Sequence, residues 1–170
     1  MSAQAGGFRE AMANLGAAVN VVTSAGDAGR VGFTATAVCS VSDTPPMLLV
    51  CMNRRSEQNN VVKQNGTLCV NTLSSDQKDL SAVFAGMTEA RSDDRFSKAA
   101  WNTLKTGAPV LERALASFDC EIKNVIEAGT HSIFLCEVLE VAVESQAKGL
   151  VYFQRNYHTL FGTPAASGRG

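Results

Sequence analysis

Between Thr34 and Pro46 the chain reads Thr-Ala-Thr-Ala-Val-Cys-Ser-Val-Ser-Asp-Thr-Pro-Pro. Small and β-branched residues fill nearly every position, which predicts a strand. Pro45 and Pro46 cannot donate ladder hydrogen bonds, so the run must end in a turn or at a sheet edge. It carries almost no bulk on either face, so it buries little area of its own. Something flat or closely packed therefore has to lie against it. One reading is a core strand pressed against a helix. The other is a backbone surface open to a planar ring, with the hydroxyls of Thr34, Thr36 and Ser40 offered to a ring edge or a phosphate.

The rest of the composition narrows the class. A chain of 170 residues, 45% hydrophobic and 18% charged, suits one globular domain with a sizeable core. The net charge is −1 and no basic run occurs, which argues against nucleic-acid or anionic-membrane partners. No window approaches the roughly 20 apolar residues of a membrane span. The opening Met-Ser-Ala-Gln-Ala-Gly-Gly has neither the charged nor the apolar region of a signal peptide. A cytoplasmic location is expected. Five cysteines, Cys39, Cys51, Cys69, Cys120 and Cys136, include no Cys-x-x-Cys and mostly sit in apolar runs, where thiols pack as small hydrophobes. Cys39 adjoins the small-residue run, which leaves thiol chemistry open there. The two histidines, His131 and His158, have no metal-ligand spacing, and no metal site is expected. Glycine-rich phosphate loops and a Gly-x-Ser-x-Gly elbow are also missing.

Periodicity predicts many short strands and few helices. Residues 7–15 carry Phe8, Met12 and Leu15 at helical spacing. Strands follow over 19–24 and 31–41 around a Gly26–Gly29 turn, then over 47–52. Ser56 is placed to N-cap a helix closed by Asn65-Gly66. A strand over 67–73 and a helix over 76–85 come next, then an irregular or partly helical stretch over 86–109. Phe118, Cys120 and Ile122 alternate with polar residues as in a half-buried strand. Residues 133–141 are apolar on both parities, which predicts burial on both faces or a subunit contact. A last strand spans 149–153. The domain is expected over 1–162, with a flexible small-residue tail over 163–170. These elements point to a mainly β fold, an antiparallel barrel with peripheral helices.

Several segments, in order, carry a resemblance. They are Phe8-Arg9-Glu10-Ala11-Met12, Gly16-Ala17-Ala18-Val19-Asn20, the Thr34–Pro46 run, Leu68-Cys69-Val70-Asn71, Arg95-Phe96, Ser117-Phe118-Asp119-Cys120, Gly129-Thr130-His131 and Gly149-Leu150-Val151-Tyr152-Phe153. From Phe8 to about Phe161 the chain resembles the short-chain flavin reductases. Within them it is similar to the reductase components of two-component monooxygenases, such as those serving 4-hydroxyphenylacetate 3-monooxygenase and the pyrimidine oxygenase. The resemblance implies a split β-barrel, a homodimer and flavin at the subunit interface.

By the same resemblance the flavin ring lies against Thr34, Ala35, Thr36 and Ala37, with Cys39, Ser40 and Val41 nearby. Asn53, Arg54 and Ser56, with Asn59 one turn on, correspond to the phosphate and ribityl contact; an ordinary helix cap is the alternative. Phe84, Ala85 and Gly86, then Arg95 and Phe96, match further flavin-side segments, though Arg95 could equally pair with Asp93 or Asp94. His131 corresponds to a nicotinamide contact, in a Gly-Thr-His where the family more often has Gly-Asp-His. Tyr152, Phe153, Arg155 and Tyr157 match the segment lining the NAD(P)H pocket; alternating aromatics also fill cores. The implied activity is hydride transfer from NADH or NADPH to FMN or FAD, with the reduced flavin passing by diffusion to an oxygenase. No protein acid or base is expected. A corrinoid reductase of the cob(II)yrinic acid a,c-diamide type, working through bound flavin, is the alternative enzyme. A flavin-binding protein without turnover is the alternative from another class.

Overall fold

The computed structural model describes residues 3–86, 92–144 and 148–162, without the side chains of 3–5, 92 and 93; the expected tail lies outside these. The order is α1 (Ala3–Ala13), β1 (Ala17–Ala18), β2 (Asn20–Ser24), β3 (Val31–Ala35), β4 (Val38–Asp43), β5 (Pro46–Asn53), α2 (Gln58–Asn65), β6 (Thr67–Thr72), α3 (Lys78–Phe84), α4 (Ser92–Phe96), β7 (Trp101–Thr103), β8 (Pro109–Leu111), β9 (Ala116–Ala128), β10 (His131–Val143), β11 (Gly149–Phe153) and β12 (Asn156–Leu160). Seven strands form one sheet in the order β3-β2-β6-β9-β10-β5-β4, with a three-stranded sheet β1-β11-β12 beside it. The mainly β class holds, and the sheet is not closed.

The opening lies where the small-residue run sits. The two edge strands, β3 and β4, are consecutive in sequence, so the chain crosses the split in two residues, Thr36 and Ala37. Val38 N–H donates to Thr36 C=O at 3.0 Å, and Cys51 N–H to Ala37 C=O at 3.0 Å. The continuous strand expected over 31–41 is thus broken in its middle. Alternation and propensity are satisfied on both sides of the break, and nothing bulky marks it.

Other boundaries moved for local reasons. Ser56 does not cap α2: the helix begins at Gln58, its N-cap position is Glu57 without a side-chain bond, and the Ser56 carbonyl accepts Asn59 N–H. Its end is as expected, with Gly66 at φ 69° donating to Val62 C=O. The helix expected over 76–85 divides into a 3₁₀ turn, Ser75–Gln77, and α3. In β9 the fully buried positions include Ser117, Asp119 and Cys120, while Phe118 and Ile122 are half-buried. Polar residues were taken for the solvent face there, but Asp119 accepts from Thr106 N–H and from the Thr106 hydroxyl. On β10 only one face is buried, through Ser132, Phe134 and Cys136. The strand β12 and the β7–β8 pair were not foreseen.

One core fills the sheet's concave side, with Val22, Val50, Val70, Cys120 and Phe134 at its centre. A second, around Leu73, Phe84, Phe96 and Leu150, joins the smaller sheet to α3. Gly32 lets α3 approach β3: a Cβ there would stand 2.7 Å from the Phe84 ring. Asn71, with no exposed surface, sits where four strands meet. Its Nδ2 donates to Val21 C=O at 3.1 Å and to Thr23 Oγ1 at 3.3 Å. Its Oδ1 accepts from Leu111 N–H at 2.8 Å and from the Ser117 hydroxyl at 3.0 Å.

Replacing Asn71 by Ala strands these buried partners as well as opening a void. Each orphaned polar group costs about 1–3 kcal/mol, so Asn71→Ala should lower the unfolding free energy by about 3 kcal/mol or more, read from urea denaturation. A loss under about 1 kcal/mol would mean that the partners are satisfied by water.

Candidate functional site

A groove of about 440 Å³ opens at the split. It is lined by Thr34, Ala35, Thr36 and Ala37 on one side and by Asn53, Ser56 and His131 at one end. Phe84, Ala85, Gly86 and Arg95 contribute as well. All of these were expected at a ligand site, and the fold brings them together because β3, the end of β5, the start of β10 and the end of α3 converge there. Thr34 does not offer its hydroxyl to the groove, since it donates to Ser81 C=O at 2.7 Å. Apart from the exposed Thr36, this wall presents backbone and methyl groups, which suits the approach of a flat ring.

Four further lining residues carried no sequence signal: Phe33, Cys51, Met52 and Gln58. The Oε1 of Gln58 is buried and accepts no hydrogen bond, alone in this among the described side chains. A buried acceptor of this kind stands for a missing donor. Burial raises the Cys51 thiol above the usual range, so it faces the groove as a neutral SH. The buried thiols Cys69, Cys120 and Cys136 are raised in the same way, Cys136 to about 12.

Other expected site residues lie elsewhere. Cys39, Ser40 and Val41 stand exposed on β4. Phe96 is core, stacked edge-on to Phe84 with Arg30 over its ring at 4.4 Å. Tyr157 packs on Tyr152, its hydroxyl 2.7 Å from that of Ser81. Phe153 meets His158. Tyr152 and Arg155 line a second hollow of about 570 Å³ beneath α1, which shares Thr36 and Ala37 with the groove. Asn59 is buried and its amide donates to Ser132 Oγ at 3.2 Å.

Arg54 also leaves the groove. Its Nε lies 2.6 Å from Glu127 Oε2, and its Nη1 donates to Gly129 C=O at 3.2 Å. Lys63 Nζ meets the other Glu127 oxygen at 2.6 Å, and the Ser132 hydroxyl donates to Glu127 at 3.1 Å. This cluster ties α2 to the β9–β10 hairpin, whose next residue, His131, has Nδ1 2.9 Å from Thr130 Oγ1. The Lys63 ammonium, helped by Ser132 and Arg54, holds the Glu127 carboxyl below the usual carboxylate range.

The flavin reductase like domain family matches residues 12–160. The chain belongs to that family. It is 54% identical to the FMN reductase (NADH) RutF of Serratia proteamaculans over 153 residues, which cover 90% of this chain and 86% of that one. The solved structure of BorF, the flavin reductase component of a bacterial two-component tryptophan halogenase, superposes with a TM-score of 0.86 at 29% identity, over 94% of this chain and 99% of that one. The Streptomyces globisporus NADH:FAD oxidoreductase SgcE6, in complex with NAD and FAD fragments, gives 0.82 at 27% identity, over 94% and 93%.

Within this flavin reductase-like chain the residues of the groove fit a flavin. The Ala35, Ala37 and Gly86 positions leave room for a flat ring, and the Gln58 acceptor can be met by a ring N–H or a ribityl hydroxyl after rotation of its amide. Among the described residues no group of three or more potential metal ligands occurs, and no helix is long and apolar enough to cross a membrane.

The depressed Glu127 carboxyl has a measurable consequence. A carboxylate lowered in the folded state contributes stability above its unfolded pKa of about 4.3 and loses it as the pH falls through the folded value. The stability difference between wild type and Glu127→Gln should therefore be constant near pH 7, shrink as the pH falls below about 4.3, and vanish only in stronger acid, below the depressed folded value. A difference that persists in acid would assign the effect to packing.

Proposed function

We propose that this protein is an NADH-dependent flavin reductase that takes FMN in the groove at the split and hands the reduced flavin to a partner oxygenase. The observation that carries this is the groove itself: small residues across the split, with Gln58, whose Oε1 is buried and unbonded, also in the lining, in a chain similar to a named FMN reductase. Flavin, when bound, supplies the ring that accepts a hydride from the nicotinamide.

The chain's own residues bind, orient and dry the site. Ala35 and Ala37 admit a ring to the backbone, and Phe33, Met52 and Phe84 exclude water from one side. Asn53 and Ser56 are assigned to the ribityl and phosphate end. His131, at the groove's mouth, is assigned to the nicotinamide, and the hollow lined by Tyr152 and Arg155 to the rest of NADH, since both cavities share Thr36 and Ala37. Transfer between two stacked rings asks mainly for alignment within roughly 3–3.5 Å.

Steady-state turnover decides the reading. The purified protein should oxidise NADH only when flavin is added, with FMN preferred. His131→Ala should raise the KM for NADH or slow flavin reduction by about 5- to 150-fold, equivalent to about 1–3 kcal/mol, while leaving flavin affinity intact. A protein that binds flavin but is inert to NADH and NADPH would be a carrier; efficient reduction of cob(II)alamin-type acceptors without release of flavin would favour the corrinoid reading.

We also infer a homodimer. The outer face of the large sheet carries Met47, Leu49, Cys51, Ile133 and Leu135 half-exposed, in register across β5 and β10, with Ile126 beyond them. Cys51 belongs both to this apolar face and to the groove wall, so a second copy seated here would border the ligand. Light scattering at micromolar concentration should give twice the chain mass. A monomer that binds flavin fully would refute the shared site.

A further inference from the structure

Between Asn53 and Ser56, which both line the groove, stands an arginine that is held off it. Arg54 lies against Glu127, in a separate hollow lined also by Arg55, Asn60 and Lys63. The ion pair is exposed, with 51% of the Arg54 and 39% of the Glu127 side chain open to solvent. Pairs of this kind are held weakly and exchange readily. A phosphate dianion has more charge than a carboxylate and accepts a guanidinium fork through two oxygens. Glu127 is also held by Lys63 and by the buried Ser132, so two anchors remain when Arg54 leaves.

We propose that Glu127 is a positioning residue that competes with the flavin phosphate for Arg54. It acts through that arginine and weakens the hold on the phosphate end of FMN. The proposal rests on the reading of the groove as a flavin site and adds to it a reason for loose binding. A reductase that passes its product to another protein has to let the reduced flavin go. An arginine shared between an internal carboxylate and the ligand grips the phosphate in part, while Lys63 keeps Glu127 charged and in place after the exchange. The turn that precedes His131 is also tied to Arg54 by two bonds, the side-chain Nη1 to Gly129 C=O and the backbone N–H to Thr130 C=O, and only the first is given up when the guanidinium moves.

The test is a binding titration that does not depend on turnover. Riboflavin and FMN differ in the phosphate alone, so the ratio of their dissociation constants isolates the phosphate contact. With flavin fluorescence quenching on flavin-free protein, Glu127→Gln should raise the riboflavin-to-FMN ratio by about two- to fivefold, the range of an exposed ion pair. Adding Arg54→Ala to Glu127→Gln should abolish that gain. Glu127→Asp, which keeps the charge on a shorter stem, should fall between wild type and Glu127→Gln and serves if the amide variant folds poorly. A purely structural Glu127 would weaken both flavins together and leave the ratio unchanged, which overturns the proposal. A gain that survives removal of Arg54 overturns it too. Failure of wild type to bind riboflavin or FMN at all would instead overturn the flavin reading of the groove.

Discussion

A single buried carboxamide holds the architecture in register. Asn71 spends its donors on β2 and its acceptor on β8 and β9, while its own backbone pairs in β6. No apolar residue could occupy that point, because the Leu111 N–H would then be buried without a partner. The order of strands around it decides which pair is left unjoined. With β2, β6 and β9 tied at the centre, β3 and β4 become the edges, and the two residues between them must span the gap.

The site follows from that gap. An edge strand ordinarily risks pairing with another chain. Here the first part of the small-residue run, Thr34–Ala37, forms a wall of the groove at that edge, with the end of α3 and the start of β10 contributing to its lining. The chemistry proposed for the groove needs little from side chains beyond shape and a few polar contacts, so residues that look unremarkable one by one form the wall. The charged groups lie around it, with Arg54 and Lys63 both paired to Glu127.

Much of this was legible in the chain. Small and β-branched residues before two prolines gave the wall, and the family resemblance assembled Thr34–Ala37, Asn53, Ser56, Phe84–Gly86, Arg95 and His131, which the fold brings to one groove. What could not be read was set by partners distant in sequence. The break at Thr36–Ala37 is dictated by the sheet's edges, not by a turn residue. Gln58 looks like any helix-face amide until its oxygen is found buried. Arg54 reads as a phosphate ligand until Glu127, far along the chain, is seen beside it. Ser117 and Asp119 read as solvent-facing because alternation counts polarity, and the hydrogen bonds that let them be buried come from other loops.

Gly32 has a wider meaning than local fit. The helix that rests on it, α3, runs directly into Phe84, Ala85 and Gly86, which form part of the groove. Position 32 therefore works as a spacer of zero thickness between strand and helix. A methyl group there would press on the Phe84 ring, which itself lines the groove, and so wedge the helix outward. The width of the groove is set in part by an atom that is absent, one that would sit against the Phe84 ring on the same face of β3 as Thr34.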